Sequence, residues 1–289
     1  MKGFLAFFVA PIVSLVALTD AAIAAVKTQV VEYQHDGVVL EGFLAYDDAK
    51  TGKRPGVMIV HEWTGVGDYV KNRAKQLAEL GYVAFAADIY GKGIRPNNPT
   101  DAGKEATKYR SNRPLLRSRA LAGLKVLQAN PLTNPQKIAA IGYCFGGGTV
   151  LELARSGADV AGVVSFHGNL DTPNPADAQN IKGKVLVLHG AVDPYVPPEQ
   201  VSAFEKEMND AKVDWQLVSY GGVVHSFTNP EAGNDPSKGA AYNALADQRS
   251  FGAMQQFFNE LFVDRDATKP AFKKPSDQFN PPRRSGSGR

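Results

Sequence analysis

Three features of this 289-residue chain predict an α/β architecture: a mostly parallel central sheet of about eight strands, with helices on both faces. From residue 57 onward, short apolar runs alternate with amphipathic segments, as in chains whose strands and helices take turns. One apolar run, 137–141, ends at Gly142 and passes through Tyr143-Cys144-Phe145 into three glycines and a helical segment. No internal repeat or composition shift divides the body of the chain, so one domain is expected over residues 25–265.

Each element has a local reason. Residues 29–33 and 38–46 alternate and flank Asp36-Gly37, a strong signal for a tight hairpin turn. The run 57–61 is apolar enough for a central strand. Residues 68–80 carry Val70, Ala74, Leu77 and Ala78 on one face and stop at Gly81. Residues 82–87 form another buried strand, followed by a helical segment near 101–110. Asn112 and Pro114 supply a cap and first turn for a helix with Leu116, Ala120, Leu121, Leu124 and Leu127 on its apolar side. After the turn at Cys144, residues 149–155 read as a helix stopped by Gly157. Further strands are expected at 160–166, 185–189 and 215–220, with helices at 198–211 and 240–262.

Composition narrows the function classes. A hydrophobic fraction of 44% and a charged fraction of 21% are ordinary for a globular domain. A net charge of +3, with no basic stripe interleaved with aromatics, argues against nucleic acid as a partner. Five histidines and one cysteine lack zinc-type spacing, so neither a metal nor another cofactor is expected. Lys2, the apolar run 3–18 and Ala22-Ile23-Ala24 resemble an export signal over residues 1–24, cleaved to leave no membrane span. The product would be periplasmic or secreted. Residues 266–289, rich in proline, basic and small side chains, read as a disordered basic tail.

The chemistry concentrates at Gly142-Tyr143-Cys144-Phe145-Gly146. A nucleophile between small residues on a sharp strand-to-helix turn is pushed out of the sheet, to where a helix N-terminus favours a thiolate. A thiol needs a base, and the base an orienting acid. Asp193 follows the strand 185–189, and His225 follows the strand 215–220. The order nucleophile, acid, histidine suits an α/β-hydrolase, since loops after parallel strands gather at one sheet edge. His167, ending the strand 160–166, points to the same edge as a supporting residue.

The chain resembles the dienelactone hydrolase family, cysteine hydrolases of the α/β-hydrolase fold. The matching pieces are His61-Glu62-Trp63-Thr64-Gly65, Asp88-Ile89-Tyr90-Gly91, the Cys144 turn, His189-Gly190-Ala191-Val192-Asp193 and His225-Ser226-Phe227. This resemblance implies Cys144 as nucleophile, His225 as base, Asp193 as its acid, and Glu62 as a carboxylate that helps form the thiolate when substrate binds. It implies the backbone N–H groups of Trp63 and Phe145 as the oxyanion hole. Where the family holds a substrate carboxylate with two arginines, this chain has Lys92 and Asn229, with Arg95 in the same loop as Lys92. Lysine lacks the bidentate fork and asparagine the charge. Lys92, Asn229, Tyr90, Tyr143 and Phe227 are the expected substrate contacts. The aromatics, with Trp63, Phe145 and Tyr195, suggest an apolar or aromatic group. The expected substrate is a small ester or lactone, cleaved through an acyl-thioester. A thioesterase or other acyl hydrolase on the same residues, a binding protein that kept the fold, and a redox-sensing thiol are the alternative readings.

Overall fold

The structure, a computed structural model, describes residues 26–262; the expected signal and basic tail lie outside them. One sheet of eight strands runs in the order β1-β2-β4-β3-β5-β6-β7-β8. The strands are β1 (Val26–His35), β2 (Val38–Asp47), β3 (Arg54–Val60), β4 (Val83–Ala87), β5 (Thr133–Tyr143), β6 (Gly162–Phe166), β7 (Lys184–Gly190) and β8 (Trp215–Tyr220). β1 and β2 form an antiparallel hairpin, and β2 pairs antiparallel with β4. From β4 to β8 every pairing is parallel. The hairpin turn has positive φ at both Asp36 (49°) and Gly37 (75°), the geometry that lets a two-residue turn follow the strands' own twist.

The helices are α1 (Asp68–Glu79), α2 (Pro99–Arg110), α3 (Arg113–Ala129), α4 (Phe145–Arg155), α5 (Pro198–Asp210) and α6 (Ala244–Phe262). They divide the apolar side chains into two cores, one on each face of the sheet. Leu116, Leu124 and Leu127 of α3 lie in the first core with Met58, Val60, Val83 and Phe85 of the strands, and Phe204 and Met208 of α5 belong to it too. Val70 and Leu77 of α1 and Met254 and Phe258 of α6 lie in the second with Val57, Ile59 and Ile141. Where the five central strands are buried on both faces, as over residues 56–60, 83–87, 138–143, 162–166 and 185–188, they are almost wholly apolar. Asn98 and Asn112 cap α2 and α3 by accepting the N–H groups of Asp101 and Leu115. Among the described residues no helix is long and apolar enough to cross a membrane.

Two helices differ from expectation. α4 begins at Phe145, not Thr149, and takes in all three glycines. Glycine costs about 1 kcal/mol per residue in a helix, so tertiary packing overrides the local preference here. A Cβ on Gly146 would lie 2.2 Å from the Val60 carbonyl oxygen, and one on Gly142 would lie 2.0 Å from the Gly146 oxygen. These glycines bring the first turn of α4 down onto the ends of β3 and β5. The second difference is α6, which starts at Ala244. The preceding residues leave the helix to bridge His225, whose N–H donates to Gly239 O while its carbonyl accepts from Ala241 N–H.

Gly146→Ala is expected to destabilise the fold by about 3 kcal/mol or more, read as a fall in the denaturation midpoint, because the clash is with backbone rather than a side-chain tip.

Candidate active site

At the carboxyl end of the parallel strands, the turn from β5 to α4 puts Cys144 at φ 54°, ψ −114°. A non-glycine residue rarely holds positive φ unless its surroundings over-determine it. Here they do. The Cys144 N–H donates to Phe166 O at 3.0 Å and to His167 Nδ1 at 3.2 Å, and its carbonyl accepts from Gly147 and Gly148. His167 is itself at φ 39° and fully buried. Burial, together with the nearby His225 charge, holds its imidazole well below the usual histidine range. It is therefore neutral, with Nδ1 free to accept from Cys144 and Nε2 paired with Thr228 Oγ1 at 2.7 Å. Thr228 passes the contact to Tyr69, and Arg73 donates to Thr228 O and Asp247. The supporting place expected for His167 is the one it occupies.

His225 Nδ1–H donates to Asp193 Oδ2 at 2.8 Å. The other Asp193 oxygen accepts from Tyr195 N–H at 2.9 Å, so the carboxylate is fixed at both ends. Burial pushes the His225 imidazolium down. The negative Cys144 sulfur, the hydrogen bonds to Asp193 and to that sulfur, and the Asp193 charge outweigh burial and carry the ring up to about 10. At neutral pH this arrangement favours the imidazolium form of His225.

Glu62 stands at the end of β3 and is buried. Burial drives its carboxyl up to about 7, against the Asn229 hydrogen bond and the His225 charge that pull it down. Asn229 Nδ2 donates to Glu62 Oε2 at 2.7 Å. The loop beyond Glu62 is tied down from two sides. His61 Nδ1–H donates to Glu62 O at 2.5 Å while Ile89 N–H donates to His61 Nε2, and Tyr90 Oη donates to Trp63 O at 3.0 Å. Among the described residues, the N–H groups of Trp63 and Phe145 find no acceptor in loops, turns or caps.

A cavity of about 450 Å³ opens onto Cys144 and His225, with Trp63, Arg110, Asn169 and Tyr195 in its walls. A neighbouring cavity of about 300 Å³ touches Glu62 and Asn229 and shares Trp63, Ser226 and Ala240 with the first. A comparable cavity of about 460 Å³ between β1 and α3 is lined by neither Cys144 nor His225.

None of the five expected substrate contacts lines the Cys144 cavity. Lys92 lies on the surface, where its Nζ pairs with Glu32 at 2.5 Å. Asn229 is turned onto Glu62. Tyr90 is buried in a stack with Tyr109, 5.3 Å between ring centroids, and positions the Trp63 loop instead. Tyr143 and Phe227 are core side chains; Tyr143 stacks on Phe166 and Phe227 packs against His167. Arg95 donates to the carbonyls of Val66, Gly91, Ile94 and Glu41, which makes it a loop tie. Asp88, of the Asp-Ile-Tyr-Gly motif, accepts the N–H groups of Tyr90, Gly91 and Glu41, so that motif acts here as a backbone clamp. The residue that sequence reasoning missed is Arg110. An arginine near the end of a polar helix carries no signal until the fold turns it toward the nucleophile. Among the described residues, no cluster of three His, Cys, Asp or Glu side chains is placed to hold a metal.

Glu62 gives a stability test with a definite sign. Its folded value lies above the ordinary carboxyl value, so ionisation costs stability as pH rises through the interval between the two, and the whole cost is present above about 7. Glu62→Gln should raise stability by about 2–3 kcal/mol at pH 8 and leave it nearly unchanged at pH 4, measured by denaturant unfolding at both pH values.

The chain is similar to known proteins over most of its length. The sequence model of the dienelactone hydrolase family matches residues 40–262. Protein usf of Aquifex pyrophilus is 30% identical over 240 residues, which cover 81% of this chain and 99% of that protein. A protein of Aquifex aeolicus (strain VF5) named "Putative carboxymethylenebutenolidase" is 30% identical over 206 residues, 70% of this chain and 87% of that one. A solved chain named m3DLH is similar with a TM-score of 0.80 at 40% identity, covering 83% of this chain and all (100%) of its own. A dienelactone hydrolase-like promiscuous phosphotriesterase from metagenomic libraries is similar with a TM-score of 0.79 at 42% identity and the same coverage, 83% and 100%.

Proposed function

Because this chain belongs to the dienelactone hydrolase family, we propose that it is a hydrolase cleaving a carboxylic ester or lactone through Cys144, His225 and Asp193. The observation that carries this reading is the pairing at one cavity of a strained, outward-turned Cys144 with a His225 that Asp193 holds at 2.8 Å.

The residues divide the work as follows. The Cys144 sulfur attacks the substrate carbonyl carbon and forms a C–S bond. The resulting oxyanion is met by the N–H groups of Trp63 and Phe145, donors that act on charge developing in the transition state. His225 gives its proton to the leaving oxygen as the C–O bond breaks, leaving an acyl-thioester. Water then attacks that thioester and gives its proton to His225. The C–S bond breaks, the carboxylic acid leaves, and the thiolate–imidazolium pair returns. Asp193 keeps Nδ1–H of His225 engaged, which presents the other ring nitrogen to the sulfur and the leaving group.

Glu62 tunes this pair. Near pH 7 its carboxyl is divided between its charged and neutral forms, and the charged form supports the His225 imidazolium. Proton uptake at Glu62 on substrate binding would therefore lower that support and ease proton transfer from His225. In this reading residues 1–24 direct the enzyme out of the cytoplasm to the periplasm or the medium. A thiol there is exposed to oxidants, which react with thiolates first; the enclosed position of Cys144, 8% exposed, limits that access.

Wild type should turn over aryl esters and lactones, and Cys144→Ala should lose at least about a thousand-fold in kcat/KM while remaining folded. His225→Gln should show a loss of similar size. Turnover that survives Cys144→Ala would contradict the proposal. Thioesters and phosphotriesters belong in the same panel. A preference for thioesters would move the reading to a thioesterase with the same residues.

A further inference from the structure

The nucleophile turn and the loop that supplies the base are joined through Thr228. This residue stands in the same loop as His225 and is buried. Its Oγ1 lies 2.7 Å from His167 Nε2 and 2.6 Å from Tyr69 Oη, while its carbonyl accepts from Arg73 Nη2 at 2.8 Å. His167 meets the Cys144 N–H with its other nitrogen, Nδ1, at 3.2 Å. The same ring packs edge-on against His225 and Phe227, with centroids 5.2 and 5.1 Å away. Nucleophile and base therefore rest on a common imidazole, and Thr228 touches the nitrogen that faces away from Cys144.

The direction of these hydrogen bonds is forced. An amide N–H only donates, so the Nδ1 that meets Cys144 carries a lone pair. Burial and the nearby His225 charge keep the His167 ring neutral, and a neutral ring with a bare Nδ1 has its proton on Nε2. That Nε2–H finds its acceptor in Thr228 Oγ1, whichever hydroxyl of the Thr228 and Tyr69 pair donates to the other. In the opposite tautomer, Nδ1–H would face Cys144 N–H, donor against donor. An acceptor at Nε2 thus selects the tautomer that can hold the Cys144 turn. A non-glycine backbone at φ 54° keeps that conformation only where its surroundings over-determine it.

We infer that Thr228 is a positioning residue for the reaction: its hydroxyl accepts from His167 Nε2–H, fixes the tautomer whose Nδ1 binds Cys144 N–H, and so sets the sulfur against His225. This rests on the reading of Cys144 as the nucleophile. Thr228 lines neither of the two adjoining cavities and acts through His167.

The test compares Thr228→Val, which removes the hydroxyl and keeps the branched shape, with Thr228→Ser, which keeps the hydroxyl and removes the methyl. A packing role and a positioning role predict opposite rankings of the two. The nitrogen NMR shifts of His167, identified by their absence from His167→Gln, should place the proton on Nε2 in wild type and Thr228→Ser. In Thr228→Val it should move to Nδ1 in part or whole. Alkylation of Cys144 by iodoacetamide should slow about ten-fold in Thr228→Val and stay within about two-fold of wild type in Thr228→Ser. With an aryl ester, kcat should fall about ten- to a hundred-fold in Thr228→Val at an unchanged KM. Thr228→Ala takes the place of the valine variant if that one does not fold, with the same expected losses. A wild-type His167 with its proton on Nδ1 overturns the inference before any variant is made. So does Thr228→Val at wild-type rates, or Thr228→Ser losing more than Thr228→Val. If esters are cleaved through Cys144 while the variants behave in either of those ways, the hydrolase stands and Thr228 falls. If no ester is cleaved but the tautomer and the alkylation rates follow the hydroxyl, the hydrolase reading fails and the positioning of Cys144 by Thr228 remains.

Discussion

The close approach of the α4 N-terminus to the ends of β3 and β5 is the contact on which the rest of the site depends. Gly146 sits where a single added carbon would lie 2.2 Å from the Val60 carbonyl oxygen, and Gly142 is as tightly placed against Gly146. With the helix held that near, the chain has no room for a relaxed turn, and Cys144 takes φ 54°. The strain is distributed over a lattice of hydrogen bonds rather than left at one residue. Cys144 N–H is shared between Phe166 and His167, and His167, in turn left-handed, is fixed through Thr228.

Electrostatics acts within this frame because water is largely excluded. Three histidines meet at or near the site, and burial alone would keep all of them neutral. His167 and His61 follow that rule, and both use the neutral ring to accept a backbone N–H. His225 breaks it, since a buried carboxylate and the sulfur supply two negative partners. Glu62 sits between these regimes: burial pushes its carboxyl toward neutrality and Asn229 and His225 pull it back. The site thus sets two neutral histidines beside one raised imidazolium and one carboxyl near its midpoint.

Much of this was legible in the sequence wherever geometry is local. The Asp36-Gly37 hairpin, the Asn caps, the apolar strands and the glycine-bounded turn at Cys144 each follow from residues adjacent in the chain. The pairing of His225 with Asp193 was legible because the order of strands confines their loops to one edge. Side-chain direction was not. Lys92 was expected at the cavity because it stands where the resembled family has an arginine, and Tyr90, Tyr143 and Phe227 because they are near it in sequence, yet each is claimed by a closer partner: Glu32, the Trp63 carbonyl, Phe166 and His167. The start of α4 was hidden because glycine's poor helix propensity is outweighed by packing that only glycine permits. The start of α6 was hidden because residues 240–241 bridge His225, a long-range contact with no local trace.

The central claim is that substrate passes through a covalent bond to Cys144, and its most direct measurement is to acid-quench wild type during turnover of an aryl ester and map the acyl group by peptide mass spectrometry. The account predicts an acyl group on the peptide holding Cys144, sensitive to hydroxylamine as a thioester is, and absent from Cys144→Ala. Turnover with no acyl group on that peptide, or with the group on another residue, would contradict it.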